Sequence, residues 1–213
     1  AVKITASING TVINGGTPLS LTVAGQSVFV RLGTGNTITV LNSTQYQIPY
    51  AVLVTDAAGN PVVGAQVQIQ LQPYQGTWAY RKGFWYVDAI TNLWTQQIND
   101  QCRNEDRNLN GILEAGEDDN NNGLLEPGTV AAASPASVTT DNTGSAFVAV
   151  TYGKNYGNWT MVSLTAKTTV QGSEYQNSAD FILPLLGDDL KDTKTSPPGQ
   201  TSPFGVNKCN VPN

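Results

Sequence analysis

Residues 46–72 read YQIPYAVLVTDAAGNPVVGAQVQIQLQ, and this stretch decides the fold. In its second half Val67, Ile69 and Leu71 fall on one face of an extended chain, while glutamines fall on the other. The residues DAAGNP between the two halves are typical of a turn. The stretch therefore predicts two half-buried β-strands joined by a turn.

The same period-two pattern recurs on both sides of this stretch. It covers residues 21–32, 36–41, 46–56, 65–72, 136–141, 145–152, 159–167 and 178–183. Turn-forming sequences such as DNTG and GKNYGN separate the later runs. Short strands at this spacing, with almost no helical periodicity, predict an all-β fold, specifically an antiparallel sandwich.

Two blocks of the sequence carry a family resemblance. YAVLVTDAAGNPVVGAQVQIQL, and later SVTTDNTGSAFVAVTYGKNYGNWTMVSLTAK, resemble the bacterial Ig-like modules of the invasin and intimin type. Gly59 and Gly144 would give the two D-x-x-G turns their positive φ, and Pro61 would pre-set the next strand. The resemblance implies an Ig-like cell-surface sandwich over residues 1–186. The sequence departs from the family by an insert at 73–135 and by an extension at 187–213.

Composition excludes several classes of function. The net charge is −5, the pI is about 4.5 and only 13% of the residues are charged, so no basic face is available for nucleic acid or for an anionic membrane. The longest apolar runs, such as FILPLL, are too short for membrane insertion. The chain has no histidine, which removes the usual general base and the commonest transition-metal ligand. We therefore predict that the protein is not an enzyme.

The cysteine count and the first residues favour an exported protein. Cys102 and Cys209 are the even number expected of one disulfide in an oxidising compartment, within the chain or between chains. The alternative is two unrelated free thiols. The chain begins AVKITASING, which is compatible with prior removal of an export leader. Secretion to the extracellular space or the cell surface is the expectation.

Residues 105–128, EDRNLNGILEAGEDDNNNGLLEPG, place seven carboxylates in a repeat of twelve residues. In the first copy, the calcium-loop pattern D-x-[DN]-x-[DN]-G-x5-E is complete. Asparagine and carboxylate oxygens on alternate residues of a tight turn are hard ligands that select calcium. The predicted ligands are Asp106, Asn108, Asn110, the carbonyl of Ile112, Glu114 (directly or through water) and Glu117.

The second copy has the same spacing but lacks the last ligand. Its predicted ligands are Asp118, Asn120, Asn122, Leu124 and Glu126, and Thr129 stands where the closing glutamate is expected, so the site is weaker or borrows a ligand. The pair resembles the helix-free tandem calcium loops of thrombospondin type 3 repeats. Extracellular sites of this kind bind at about 10⁻⁴ to 10⁻³ M. The alternative is a solvated turn rich in asparagine and glycine that binds no ion.

The first half of the insert is rich in aromatic residues. Trp78, Tyr80, Trp85, Tyr86 and Trp94 are the candidates for a surface role. Three interpretations are open: a second small core, a protein–protein interface, or a platform on which sugars stack. Alternation in GTWAYRKGFWYV predicts a hairpin that turns at residues 81–83.

The extension at 187–213 contains four prolines and few apolar residues, so it cannot form a core of its own. Phe204 and Val206 could fill a groove, and Cys209 could fix the end of the chain. An extension of this kind can dock on a neighbouring subunit and build a filament, or it can fold back on its own sandwich.

Together these features predict an extracellular calcium-binding structural protein, assembled as a homo-oligomeric filament through its terminal extension. The alternatives are a monomeric adhesin that recognises a glycan or a host surface, and a carbohydrate-binding module that uses the tryptophans. A glycosidase using Glu114 and Glu117 is the third alternative, although both residues already have a role as ligands.

Overall fold

The computed structural model describes residues 2–4, 7–9, 11–12, 19–21, 27–35, 37–170 and 172–212. Its strands are β1 (Val2–Ile4), β2 (Ser7–Ile8), β3 (Thr11–Val12), β4 (Leu19–Leu21), β5 (Val28–Thr34), β6 (Thr39–Val40), β7 (Gln45–Asp56), β8 (Gln66–Pro73), β9 (Tyr80–Val87), β10 (Trp94–Cys102), β11 (Ala131–Ser134), β12 (Ser137–Thr139), β13 (Ser145–Gly153), β14 (Met161–Val170) and β15 (Ser173–Ile182). Short 3-10 helices cover Lys154–Tyr156 and Gly187–Leu190. Among the described residues, no helix combines the length and the apolar composition needed to cross a bilayer.

Two antiparallel sheets form the body of the protein. One has the strand order β11-β13-β7-β5, with β6 also paired to β7, and the other has the order β12-β8-β14-β15. The predicted all-β antiparallel sandwich is confirmed. The strands predicted at 46–56, 65–72 and 145–152 correspond closely to β7, β8 and β13. Residues 22–26 and 36, which belong to two further predicted strands, lie outside the described residues.

Alternation along the strands builds the core. Val52 and Val54 of β7, Val67 of β8 and Leu164 of β14 are fully buried, while the residues between them point outward. Full burial of a side chain of this kind stabilises the fold by about 1.5–3 kcal/mol. The buried apolar side chains of residues 46–72 therefore help to join the two sheets.

Two matching turns connect strands at one end of the sandwich. The main-chain carbonyl of Asp56 accepts a hydrogen bond from the Gly59 amide (3.0 Å), and that of Asp141 accepts one from the Gly144 amide (3.0 Å). Both glycines have the predicted positive φ, at 84° and 75°. A Cβ on Gly144 would stand 2.6 Å from the carbonyl oxygen of Val54, so this turn also requires the absence of a side chain.

The insert lies between β8 and β11 and begins with the antiparallel hairpin β9–β10. The hairpin turns between Asp88 and Leu93, where the Asp88 amide donates to the Leu93 carbonyl (3.0 Å). The predicted turn at 81–83 is wrong, because these residues lie inside β9. Gly83 faces the Gln97 carbonyl so closely that a Cβ would come within 2.0 Å of it, so this glycine serves a close strand approach.

The extension at 187–213 docks on the free edge of β9 in the same chain. The Trp85 amide donates to the Gln200 carbonyl (2.6 Å), and the Gly83 amide donates to the Gly205 carbonyl (2.9 Å). Phe204 is buried, with its ring centroid 4.8 Å from that of Tyr80. The extension therefore packs against the hairpin instead of forming a core of its own.

Candidate metal centre

The acidic repeat follows β10 directly and has one backbone conformation in both copies. Positive φ angles recur twelve residues apart, at Leu109 and Asn121 (60° and 59°) and at Gly111 and Gly123 (73° and 79°). The glycines stand where the loop bends most sharply, as the calcium-loop pattern requires. The sequence repeat is therefore also a structural repeat.

Side-chain oxygens of the first copy converge on its main-chain amides. Both Asp106 Oδ1 and Asn108 Oδ1 accept a hydrogen bond from the Asn110 amide, each at 3.0 Å. Asp106 Oδ2 accepts one from the Gly111 amide (2.9 Å), and Asn110 Oδ1 accepts one from the Ile112 amide (2.7 Å). Three predicted ligands thus point into one turn.

The second copy repeats every one of these bonds. Asp118 and Asn120 accept from the Asn122 amide at 3.0 and 2.9 Å. Asp118 also accepts from the Gly123 amide (2.8 Å), and Asn122 accepts from the Leu124 amide (2.8 Å). The predicted ligands of the second loop therefore have the same arrangement as those of the first.

Glu117 closes the first loop. Its Oε1 accepts from the Arg107 amide (3.0 Å) and its Oε2 accepts from the Glu114 amide (3.1 Å). These donors are the second and ninth residues of the loop that starts at Asp106. The Glu117 carboxylate is buried and spans the loop from its beginning to its end.

Glu105 does the same for the second loop, and the sequence pattern missed it. Its Oε1 accepts from the Asp119 amide (3.2 Å) and its Oε2 accepts from the Glu126 amide (2.9 Å). Asp119 and Glu126 are the second and ninth residues of the loop that starts at Asp118. Glu105 thus takes the place in which the sequence has Thr129, and each loop is closed by the glutamate that opens the other copy.

The closing glutamate of the second loop is a carboxylate without exposure to solvent. Glu105 is 0% exposed, and burial first, then the nearby Glu126 and Asp118 carboxylates, raise its pKa to about 7, while its amide donors oppose this. The two arginines of the segment, Arg103 and Arg107, both pair with Asp119 instead. The buried carboxylates of the loops therefore lie close to one another and are stabilised by hydrogen bonds from main-chain amides.

Hydrogen bonds also join the two loops to their own glutamates and to the hairpin. Asn108 donates to Glu114 (2.7 Å), and Asn120 donates to Glu126 (2.8 Å). Tyr80 of β9 hydrogen-bonds to Glu126, and burial followed by the Glu105 and Glu126 carboxylates raises the pKa of Tyr80. The acidic repeat is in this way attached to the aromatic core of the insert.

The donor set fits a hard cation only if asparagine and main-chain oxygens take part. Across the described part of the chain, no group of three or more Asp, Glu, His or Cys side chains is arranged to hold a metal ion. Each loop adds two asparagine oxygens and one carbonyl, and an oxygen that accepts one amide bond retains a second lone pair. The side chains of Ile112 and Leu124 are both 62% exposed, as expected if these residues contribute only their carbonyls.

The predicted disulfide is confirmed within the chain. Cys102, the last residue of β10, is bonded to Cys209, with 5.4 Å between the Cα atoms. The Cys209 amide also donates to Asp100 (3.1 Å). The bond fixes the extension beside the residues that open the acidic repeat.

Comparison with known proteins assigns no relative: no family model, no curated protein and no solved structure matches this chain.

The five candidate aromatic residues divide between core and surface. Tyr80 and Trp85 are buried and therefore belong to a second small core. The predicted surface role is wrong for these two residues. Trp78 is half-buried beneath the Arg81 guanidinium, 4.3 Å from the ring centroid. Trp94 donates its indole N–H to the Asp192 carbonyl (3.0 Å), and Tyr86 is exposed.

Glu114 and Glu117, the candidate catalytic pair, belong to the loop framework. Both Glu117 oxygens accept loop amides, and Glu114 is bonded to Asn108. Neither residue lines the groove of about 520 Å³ on the outer face of the second sheet. Their positions are those expected of ligands.

Proposed function

We propose that this protein is an extracellular structural module that is stabilised by two calcium ions, one in each loop of the acidic repeat. The observation that carries the proposal is the reciprocal closure of the loops by Glu117 and Glu105. The two loops have the same conformation, and each is closed by a carboxylate from the other copy, so they form a single unit. A solvated turn that binds no ion does not require this reciprocal closure.

In the first loop, Asp106, Asn108, Asn110, the Ile112 carbonyl and Glu117 would hold the ion. In the second, the ligands would be Asp118, Asn120, Asn122, the Leu124 carbonyl and Glu105. Glu114 and Glu126 stand at equivalent ninth positions and would bind directly or through water. A bound ion would place positive charge beside the buried carboxylates of this segment.

The disulfide is compatible with the extracellular location that we propose. Dissociation constants of about 10⁻⁴ to 10⁻³ M suit a compartment rich in calcium. The ions would hold together an insert whose loops are too polar to bury a core. They would also hold it on the hairpin, through the bond between Tyr80 and Glu126.

The docked extension favours an adhesive module whose extension folds back on its own chain over a filament built by the extension. Its contacts with Gly83 and Trp85, and its disulfide, lie within one chain. Docking on a neighbour would require all of them to break. Assembly through the extension therefore stays a prediction. Glycan recognition also stays a prediction, but only for the surface aromatic residues Trp78, Tyr86 and Trp94.

Calcium titration calorimetry on metal-free protein tests the proposal. We expect two binding events in the wild type, loss of the first-loop event in Glu117→Gln and loss of the second-loop event in Glu105→Gln. Thr129→Ala, at the aligned but unused position, is the matched control and should bind like the wild type. If the wild type shows no heat of binding and no shift of its melting temperature with calcium, the proposed function is wrong.

A further inference from the structure

Three segments of the chain have the pattern of an N-glycosylation acceptor, which is asparagine, any residue except proline, and then serine or threonine. They are NGT at residues 9–11, NST at residues 42–44 and NWT at residues 158–160. Gly10 of the first segment lies outside the described residues. The structure describes the other two segments completely, and their surroundings differ in the features that glycan attachment requires.

The second segment forms the loop between β6 and β7, and residues 42–44 are all exposed. The Leu41 amide donates to the Gln45 carbonyl (3.0 Å) and closes the loop at its base. The Thr44 carbonyl accepts a hydrogen bond from the Lys154 amide (2.9 Å), which fixes the loop to the rest of the sandwich. A glycan is a bulky group that needs a surface position, and this loop provides one.

The threonine of this loop is bonded to its own asparagine. The Thr44 hydroxyl donates to Asn42 Oδ1 (3.0 Å), and the Thr44 amide donates to the same oxygen (2.9 Å). Asn42 Nδ2 donates to Gln45 Oε1 (2.8 Å), which uses one of the two hydrogens on that nitrogen. The other hydrogen is the one that a sugar would replace. A glycan can therefore be added without breaking any of these bonds.

The third segment lacks these properties. Trp159 and Thr160 are both 0% exposed. Asn158 Oδ1 accepts from the Leu185 amide (3.3 Å), while the Thr160 hydroxyl has no hydrogen-bond partner among the described residues. The Asn158 amide is also bonded, to the Leu183 carbonyl (2.7 Å). The third segment is therefore closed to a glycan and serves as an internal control.

Two exposed apolar side chains precede the acceptor loop. Val40 of β6 is 48% exposed and Leu41 is 50% exposed. β6 is only two residues long and pairs with β7 at the margin of the five-stranded sheet. A bulky hydrophilic group on the next residue would shield these side chains and keep another strand from pairing with the margin.

We propose that Asn42 carries an N-linked glycan and that Asn158 does not. The co-substrate is a lipid-linked oligosaccharide. The bond between its anomeric carbon and the diphosphate breaks as a bond from that carbon to Asn42 Nδ2 forms. The lipid diphosphate leaves with the electron pair, and the nitrogen loses the proton that is not bonded to Gln45. This inference rests on the export included in the proposed function, but not on calcium binding.

Glycopeptide mapping by mass spectrometry, on the full chain secreted by its own cells, tests the assignment. We expect a saccharide mass on the Asn42 peptide and none on the Asn158 peptide. Asn42→Gln and Thr44→Ala should lose the glycan, whereas Thr44→Ser, which retains the hydroxyl, should keep it. Asn158→Gln is the matched control and should leave the glycan on Asn42 unchanged.

Melting temperatures of the secreted variants establish that each is folded. An unmodified Asn42 in the secreted wild type overturns this inference, and so does equal modification of Asn42 and Asn158. A glycan that persists in Thr44→Ala would also overturn it. A chain that is not secreted at all defeats the location given in the proposed function, whereas a secreted chain with an unmodified Asn42 defeats only this inference.

Discussion

Replacing Glu105 with glutamine should destabilise the protein only when calcium is present. In metal-free protein the glutamine keeps one acceptor oxygen for the Asp119 and Glu126 amides and removes a buried carboxylate whose pKa is raised to about 7. The loss of one amide bond costs about 1 kcal/mol, and relief of repulsion from Asp118 and Glu126 offsets part of it. The metal-free variant should therefore unfold within about 1 kcal/mol of the wild type.

With calcium at about one hundred times its dissociation constant, each occupied loop adds about 2.7 kcal/mol to the free energy of unfolding. Glu105→Gln should lose this contribution from the second loop. For a chain of this length, 1 kcal/mol shifts the melting temperature by about 2–4 °C, so the loss corresponds to about 5–11 °C.

Differential scanning calorimetry in metal-free buffer and in about 10–100 mM calcium, which is one hundred times the expected dissociation constant, measures both quantities. Glu117→Gln should behave in the same way through the first loop, and Thr129→Ala should gain as much from calcium as the wild type. Two results would refute the reasoning. One is a calcium-dependent rise in Glu105→Gln equal to that of the wild type, and the other is a loss in Thr129→Ala.

Three further predictions concern the fold. Reduction of the disulfide, which closes a loop with a sequence separation of 107, should lower the free energy of unfolding by up to about 5 kcal/mol in urea titrations. Phe204→Ala should cost about 3–5 kcal/mol and make the extension sensitive to protease, whereas Val206→Ala, at an exposed position, should cost under about 0.5 kcal/mol. Gly59→Ala should cost about 1–2 kcal/mol for its positive φ. Gly144→Ala should cost more in the same titration, since its Cβ would also meet the Val54 carbonyl; equal losses would contradict this.

Local pattern predicted the sandwich because strand alternation and turn chemistry act over a few residues. The period-two pattern of residues 46–72 corresponds to β7 and β8, and both D-x-x-G turns have the expected glycine conformation. The predicted position of the hairpin turn was wrong for a physical reason. A glycine in an alternating run indicates a turn, but Gly83 is required by the approach of the Gln97 carbonyl from another strand.

The sequence did not predict the glutamate that closes the second loop, because Glu105 precedes the calcium-loop pattern. That pattern begins at an aspartate, whereas in this chain a glutamate stands directly before the first aspartate of both loops. The bond from the Glu126 amide to Glu105 crosses 21 residues of sequence, and no local rule specifies it. The docking of the extension on β9 is likewise a contact between distant segments. The sequence could show that the extension needs a partner, but not that β9 is the partner.

The position of Lys82 has a consequence for the order in which the chain folds. Its side chain is fully buried, and its ammonium donates to the carbonyls of Lys208 (3.5 Å) and Val211 (3.1 Å). A cation in this position is costly until those carbonyls arrive. The packing around Lys82 is therefore completed when the extension docks on the hairpin. The sandwich has the same dependence on distant segments, because β7 pairs with β13 and β8 pairs with β14 across the whole insert. Its two sheets can therefore close only after β14 has been made.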